Sequence, residues 1–352
     1  MARATRSAPT LSDVARHAGV SLATASRAIN GSETRTVGED LRRRVAESAR
    51  LLGYAPNANA QAMARGATRT IGVVVHDLTD PYFAAIADGI ATAATERKLF
   101  LTLATTGNNL AALGDVVTSL DSMRVRAIIL VGARWKDPDL QDALMASIDQ
   151  YVGRGGRVVA LGMDFPGVDC VQVANEAGAT ALAEELVALG YRRPLVLTGP
   201  ERHSTAASRA TAFTHRMKQL GHPVPDANQI TSDFTRAGGT VGMRLAIEGG
   251  LTYDVIVAMN DVMALGALNE ATRSGISIPA DAGLTGFGDI STLVDVTPGL
   301  TTVRVPSGQL ARLGLDLALS GPGDGTGSIT VGVTPVLRDS TPALRDSAPA
   351  SR

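Results

Sequence analysis

The N-terminal part of the chain carries apolar residues at helical spacing. In the stretch from Leu11 to Ala18 they recur at i, i+3, i+4 and i+7, the period of an amphipathic helix. Thr10 and Asp13 form a capping-box pattern at its start, and Gly19 permits the left-handed turn that ends it. We therefore predict a first short helix here.

Two further helices follow. Ser21 can cap a second helix that buries Ala25 and Ile29, and a third is predicted from about Val37 to Leu52. The inward-facing residues of the third helix are Leu41, Val45, Ala49 and Leu52. Two helices joined by a glycine-containing turn within about twenty residues are typical of a helix-turn-helix.

From Ile71 onward, short β-rich runs alternate with helix-length amphipathic stretches. In chain order the runs are IGVVV, FLTLA, AIILV, RVVAL, VQVA, PLVLTG, DVIVAM and AGLTGF. Such alternation predicts parallel sheets with helices on both faces, and about 270 residues suffice for two lobes. The pattern predicts one last strand, from about Ile329 to Leu337.

These patterns divide the chain into four segments. We predict a helix-turn-helix head at 1–53, a hinge helix or linker at 54–70, a two-lobed body at 71–341 and a disordered tail at 342–352. The alanine-rich centre of the linker favours a helix but is too short to be stable alone. The fold class predicted is thus an all-α head on an α/β body.

Composition narrows the class of protein. Of 352 residues, 45% are hydrophobic and 19% charged, as in globular domains. The single cysteine, Cys170, cannot form an internal disulfide, and no apolar run approaches the roughly 18 residues that span a bilayer. A cytoplasmic protein without a membrane partner is expected.

The net charge of −1 hides a strong asymmetry. Residues 1–70 contain 11 arginines, no lysine and five acidic residues, a formal charge of +6, whereas the other 282 residues carry 22 basic and 29 acidic side chains, a charge of −7. A basic head on an acidic body indicates a polyanionic partner. A solvated basic surface is the alternative interpretation.

The second helix has the side chains for reading DNA. It leaves exposed Leu22, Ala23, Thr24, Ser26 and Arg27. These are small enough to enter a major groove, where Arg27 can fork onto guanine, while Ser21 and Thr24 at the helix start suit phosphates. A three-helix scaffold without a DNA role is the alternative.

Enzyme motifs are missing from the sequence. It contains no glycine-rich dinucleotide or phosphate loop, no Gly-x-Ser-x-Gly and no His-Glu-x-x-His, and its five histidines form no metal-ligand pair. His17, on the first helix, is expected to face DNA or solvent. We predict no catalytic residue, metal or cofactor.

Several strings resemble the LacI/GalR family of transcriptional regulators. They are TLSDVARHAGVSLATASRAIN, LGYAPNANAQAMARG and IGVVVHDLTDPYF, followed by VANEAGATALAEELVALGYRR, VIVAMNDVMALGALNEA, LTGFGDI, TPGLTTVRVP and VLRDST. The resemblance covers nearly the whole chain in order. It implies a periplasmic-binding-protein-like pair of Rossmann-like lobes, with the chain crossing between them near Gly162 to Ala174 and near Phe287 to Val305.

The resemblance also implies how DNA is bound. Leu22, Ala23 and Arg27 match base-reading positions, and Met63 matches a wedge that enters the minor groove when two hinge helices pair. An ordinary linker is the alternative. The DNA-contacting residues predicted are Thr10, Ser21, Leu22, Ala23, Thr24, Ser26, Arg27, Asn30, Tyr54, Asn57 and Met63.

A ligand is expected beyond the carboxyl ends of the body's strands. The effector-binding residues predicted are Tyr82, Phe83, Trp135, Asn175, Arg209, Phe234, Asn260 and Asp289. By the residues alone, Tyr82, Phe83 and Trp135 are stacking rings or, equally, packing and surface aromatics. Asn260 is expected to point its amide into the cleft, and Asp261 to cap its helix.

Two positions depart from the family pattern. Gly288 and Gly162 stand where family members often carry aspartate, although Asp164 is placed to substitute for the second. With Arg134 and Arg209 nearby, these losses favour an anionic or less hydroxylated effector over a neutral hexose.

The sequence therefore predicts a DNA-binding regulator, a repressor, whose operator affinity is controlled by a sugar or related metabolite. The partners expected are double-stranded, nearly palindromic operator DNA, the effector and a second copy of the chain, with a tetramer left open. A solute-binding module without a DNA role is the main alternative, and an enzyme on the same scaffold is a third.

Overall fold

The computed structural model describes residues 9–30, 37–55, 68–107, 111–132, 137–162, 165, 167–321 and 327–344. The chain forms two compact units, Met1–Arg69 and Thr70–Arg352. The first contains the head and the second contains the body.

The head is built from α1 (Leu11–Ala18), α2 (Leu22–Asn30) and α3 (Glu39–Leu52). The capping box at Thr10 and Asp13 is present, and Gly19 closes α1 with φ 62°. Ser21 caps α2 through a hydrogen bond from the Thr24 amide to its Oγ (3.1 Å). These local predictions are confirmed because each rests on a single backbone requirement.

The three helices enclose one small core. Its buried residues are Val14, Ala15, Ala18, Ala25 and Val45. His17 lies 3.1 Å from Ser48 (Nδ1 to Oγ), and Ser48 is itself buried. His17 is nevertheless exposed, so the expectation that it faces solvent is confirmed, and a contact with DNA stays a prediction.

The body alternates strands with helices. Its helices are α4 (Pro81–Glu96), α5 (Ala112–Ser122), α6 (Pro138–Gly153), α7 (Asn175–Ala188), α8 (Ser204–Gln219), α9 (Arg236–Glu248), α10 (Asp261–Arg273) and α11 (Ser307–Leu319). The strands are β1 (Thr70–Val75), β2 (Phe100–Thr105), β3 (Ala127–Val131), β4 (Val158–Leu161), β5 (Asp169–Val173), β6 (Pro194–Thr198), β7 (Gln229–Thr231), β8 (Val255–Ala258), β9 (Gly283–Thr285), β10 (Thr302–Arg304), β11 (Ser328–Val331) and β12 (Thr334–Val336).

Two parallel sheets define two lobes. Lobe 1 has a six-stranded sheet in the order β11-β5-β4-β3-β1-β2, and lobe 2 has a four-stranded sheet in the order β7-β6-β8-β9. Helices α4, α5, α6 and α11 belong to lobe 1, and helices α7 to α10 belong to lobe 2. All eight predicted runs are strands, and the two-lobed α/β architecture is confirmed.

The chain passes between the lobes at three places. It leaves β5 for α7 after Val173, returns to α11 after β10, and goes back to lobe 2 between β11 and β12. The single strand predicted at 329–337 is therefore wrong: β11 pairs with β5 in lobe 1, whereas β12 pairs antiparallel with β10. The run breaks at Gly332 and Val333 because the chain changes lobe there.

The start of the predicted tail is anchored to lobe 2. The Tyr191 hydroxyl donates to the carbonyl oxygen of Pro342 (2.9 Å), and the Leu344 amide donates to the carbonyl oxygen of Leu189 (2.8 Å). Prediction of disorder from residue 342 is wrong for 342–344, and residues 345–352 lie outside the described chain. Within the described ranges, no helix is long and apolar enough to cross a membrane.

Candidate functional site

Helix α2 presents an exposed face at its start. The side chain of Leu22 is 52% exposed, and Ser21 and Ala23 are also exposed. Arg27 lies along the helix, where its Nε donates to the Ala23 carbonyl oxygen (3.1 Å). The face that sequence predicts to read bases is therefore open, while Ala25 holds the opposite face in the core.

Other predicted DNA contacts already have partners within the head. The Thr10 hydroxyl donates to Asp13 (2.7 Å), the Ser26 hydroxyl accepts from the Asn30 amide (3.2 Å), and Tyr54 packs against the head core. Asn57 and Met63 lie outside the described residues. Their roles stay predictions from the sequence.

In lobe 1, the segment that follows β1 brings polar and aromatic groups to the side facing lobe 2. Asp80 caps α4 by accepting the Tyr82 amide (2.9 Å). Tyr82 and Phe83 make an edge-to-face ring contact (5.4 Å between centroids), and Phe83 makes a second with His76 (6.2 Å). Tyr82 packs against the cores of both lobes, so it serves in packing as well as lining the cleft.

In lobe 2, Arg209 is the centre of the facing surface. Its Nε donates to Asn175 Oδ1 (2.8 Å), its Nη1 donates to the Met259 carbonyl oxygen (2.8 Å), and its guanidinium carbon lies 3.7 Å from the centroid of the Phe287 ring. Burial lowers the pKa of Arg209 to about 10. The predicted residues Asn175 and Arg209 are thus in direct contact.

The loop after β6 and the segment after β7 each contribute one ring to this surface. His203 caps α8 through its Nδ1, which accepts from the Ala206 amide (3.2 Å), and its ring lies 4.5 Å from that of Phe234. Burial, then the charge of Arg209, lowers the pKa of His203 to about 4. Burial likewise lowers the pKa of His76. Both imidazoles are therefore neutral at pH 7.

Asn260 has the capping role that the sequence predicts for Asp261, and Asp261 binds groups of the same lobe instead. Asn260 caps α10 by accepting the Met263 amide (2.8 Å), and its Nδ2 donates to the Phe234 carbonyl oxygen (3.1 Å). The prediction that its amide points to a ligand is wrong, because the amide holds two loops together. Asp261 is buried and accepts from the Thr302 hydroxyl (2.5 Å) and the Ile290 amide (3.0 Å).

Asp289 is held by two arginines. Arg304 donates to its Oδ2 and Arg338 to its Oδ1, both at 2.6 Å. The ion pairs hold its pKa below the usual value against the opposing effect of burial. Arg304 lies in β10 and Arg338 follows β12, so this carboxylate joins the two segments, and effector binding by Asp289 stays a prediction. Trp135, together with Arg134 and Asp164, lies outside the described residues.

The two glycines that replace family aspartates have backbone reasons to be glycine. Gly162 and Gly288 adopt φ of +80° and +143°, where a side chain is strained. A Cβ on Gly288 would lie 3.0 Å from Asp261 Oδ2. An aspartate at this position would therefore meet another carboxylate.

Sequence reasoning missed His76, His203, Phe287 and Asp261 as residues of this surface. Each lies within a few residues of the carboxyl end of a strand, which is where ligands of open α/β sheets bind. That positional signal was present in the sequence. The sequence does not show which residues of the two lobes face each other, because that depends on contacts between residues distant along the chain.

Comparisons with known proteins agree with the two-part architecture. Residues 10–57 match the family described as bacterial regulatory proteins, lacI family, and residues 68–318 match periplasmic binding proteins and sugar binding domain of LacI family. The HTH-type transcriptional regulator GalS of Salmonella typhimurium is 33% identical over 314 residues, 89% of each chain. The ribose operon repressor of Escherichia coli is 28% identical, covering 88% of this chain and 92% of that one.

Solved structures give the same result. The lac repressor dimer bound to operator and the anti-inducer ONPF superposes with a TM-score of 0.83 at 25% identity, covering 96% of this chain and all of that one. The transcriptional regulator CelR–cellobiose complex has a TM-score of 0.67 at 26% identity, covering 94% and 99%. Motifs, fold and relatives agree, and the chain belongs to the LacI family of bacterial regulatory proteins.

Proposed function

We propose that this protein is a transcriptional repressor that binds operator DNA as a homodimer. Its affinity for the operator rises or falls when a sugar or sugar derivative binds. The observation that carries the proposal is the presence, in one chain, of an open helix-turn-helix face and an inter-lobe surface centred on Arg209. Relatives described as repressors of sugar operons support it.

The DNA half of the proposal rests on α2. Leu22 and Ala23 have no hydrogen-bonding side chain, so they read thymine methyl groups or shape, whereas Arg27 discriminates guanine. Two heads related by a two-fold axis require a nearly palindromic site with half-sites about one helical turn apart. The head takes residues 1–53 and the linker 54–70.

The sensing half rests on coupling between two sites. A ligand between the lobes changes DNA affinity only if it binds the DNA-competent and DNA-incompetent arrangements differently, and DNA then changes ligand affinity by the same factor. The lobes are joined by three crossing segments, and a Cβ on Gly178 of α7 would lie 2.5 Å from Val333 and 3.0 Å from Val303, so only glycine leaves room for α7 to pack this closely against two of them. Movement at these crossings would couple the cleft to the rest of the dimer.

Met63 is proposed as the minor-groove wedge of the linker. Replacing Met63 with Ala removes the apolar side chain that unstacks a base step, so operator bending and affinity should fall while effector binding is unchanged. Bending is measured by energy transfer between the ends of a labelled duplex. An unchanged DNA affinity would contradict this role.

The alternative is a solute-sensing module that does not bind DNA. Selection of duplexes from a random library, followed by gel shift with the enriched sequence, separates the two, because a sensing module enriches no sequence. We further propose that the protein works in the cytoplasm, on the nucleoid, and catalyses no reaction.

A further inference from the structure

Arg209 is a buried cation that forms no ion pair with any residue of the described chain. Its side chain is 4% exposed, and its two hydrogen-bond acceptors, Asn175 Oδ1 and the Met259 carbonyl oxygen, are both neutral. Within the described residues, no carboxylate comes within ion-pair distance, and Nη2 makes no hydrogen bond. A buried charge is costly unless an opposite charge compensates it, so this position is set for an anion.

The carboxylates around Arg209 are already engaged by the chain's own donors. Asp80 accepts from the Tyr82 amide, and Asp77 accepts from the amide and hydroxyl of Thr79. Asp261 bonds Thr302 and Ile290 on its two oxygens. Asp80 and Asp261 act on Arg209 only from beyond ion-pair distance. The oxygens that already accept these hydrogen bonds are poorly placed to accept from the hydroxyls of a neutral sugar.

The arginine pair at Asp289 removes a further acceptor from this side of lobe 2. Both oxygens of Asp289 are held by Arg304 and Arg338. Gly288, which precedes it, contributes no side chain. Among the described residues of this surface, hydrogen-bond donors therefore outnumber the acceptors that remain free for a ligand.

We propose that the effector carries an anionic group, a carboxylate or a phosphate, that pairs with Nη2 of Arg209. The inference rests on the proposed function, since it names the class of ligand for the same cleft. Charge-assisted hydrogen bonds to a guanidinium are roughly twice as strong as neutral ones. The rings of Tyr82, Phe83 and Phe234 form apolar walls for the rest of the ligand.

The test compares acids with their neutral parents on the full-length protein. Calorimetric titration at pH 7 uses galactose against galacturonate, glucose against glucuronate, and glucose 6-phosphate. We expect at least one acid to bind about tenfold or more tightly than its neutral parent, a difference of about 1.4 kcal/mol. Comparing the titrations of galacturonate and glucuronate with that of glucose 6-phosphate shows whether the anionic group is a carboxylate or a phosphate.

Variants on α8 connect the preference to Arg209. In Arg209→Gln, the dissociation constants of the acid and of its neutral parent should differ by no more than about twofold. Arg209→Lys should still bind the acid more tightly than the parent. Arg216→Gln is the matched control, because Arg216 lies two turns further along α8 and pairs with Glu184 at the surface. If Arg209→Gln does not fold, the wild-type protein still tests the proposal. Added NaCl should weaken binding of the acid and leave binding of its neutral parent unchanged.

A wild-type protein that binds a neutral parent as tightly as the acid and phosphate, or that binds no acid of the series, overturns the proposal. Retention of the acid preference in folded Arg209→Gln overturns it as well. Duplex binding by the ligand-free protein, measured on the same preparation, tests the proposed function separately. DNA binding without an acid preference would therefore refute only the anionic effector.

Discussion

Asp261 shows how a single side chain joins separate segments of lobe 2. It begins α10, and its carboxylate accepts from Thr302 of β10 and from the amide of Ile290. Burial raises the pKa of Asp261 to about 6, because the hydrogen bonds offset only part of the desolvation. The group holds the segment that follows β9 in place at a cost in stability at neutral pH.

The substitution Asp261→Asn should remove this pH dependence. A carboxyl whose pKa is raised in the folded state contributes stability below its unfolded value of 3.8 and loses it as pH rises toward 6. Relative to wild type, the variant's free energy of unfolding should therefore gain up to about 3 kcal/mol between pH 4 and pH 7. The Thr302 hydroxyl can turn to accept from the new amide.

Urea unfolding at several pH values from 4 to 7 measures this difference. Parallel stability curves for wild type and Asp261→Asn would show that the carboxyl titrates normally. Comparing the slope with pH, rather than the stability at one pH, separates titration from any change in packing.

Arg27 is the residue of α2 with the most to contribute to base discrimination. Arg27→Ala should weaken binding to the selected duplex by about 1–3 kcal/mol, roughly 5- to 150-fold, and relax specificity at one base pair of each half-site. Arg50→Ala, on the exposed face of α3, is the control and should change affinity much less. Fluorescence anisotropy titration measures both, and equal losses in the two variants would contradict base reading by Arg27.

At the scale of elements, α9 and α10 pack with their backbones almost touching. A Cβ on Gly239 would lie 2.0 Å from the Met263 carbonyl oxygen, and one on Gly266 would lie 2.0 Å from that of Arg236. Glycine is therefore required at this crossing by space. The helix pair covers the four-stranded sheet of lobe 2 and supports Asn260 and Asp261.

Gly239→Ala should destabilise the body by about 2 kcal/mol or more, because the backbone of α10 must move to admit a methyl group. Gly308→Ala is the matched control: Gly308 also lies in a helix, and nothing lies within 4 Å of its Cβ position. It should stabilise by up to about 1 kcal/mol through helix propensity. Thermal unfolding measures the stability of the two variants. Equal stability changes in both would contradict the claim that α9 and α10 leave no room for a methyl group at Gly239.

Elements were predictable where local rules decide them. Caps at Thr10 and Ser21 and the strands of the body follow from short patterns in the sequence. The run at 329–337 failed because its apolar residues serve two sheets, and residues 342–344 failed because Tyr191 and Leu189 bind them from far along the chain. Neither the pairing with two sheets nor the contacts of residues 342–344 can be predicted from composition.

The candidate site was predictable only in part. Asn175 and Arg209 come together as the family resemblance implies, and Tyr82, Phe83 and Phe234 lie near them. The orientation of Asn260 was predicted wrongly because a polar side chain after a strand has two possible partners, a ligand or the neighbouring loop. Packing of the loops, which the sequence does not display, decides between them.

At the scale of the whole molecule, charge and architecture agree. The basic residues 1–70 form the unit with the open helix face, and the acidic remainder forms the unit with the cleft. Attraction of the first to phosphates and repulsion of the second orient the protein on a duplex and make binding fall steeply with salt. The DNA-binding residues and the effector-binding residues therefore belong to different units of the chain.

The most direct test is the affinity of the full-length protein for its selected duplex, measured by fluorescence anisotropy with and without a saturating cleft ligand. A coupling free energy of about 1–3 kcal/mol, typical of allosteric proteins, predicts a change in Kd of roughly 5- to 150-fold. A duplex affinity that is the same with and without a ligand shown to occupy the cleft would contradict the account.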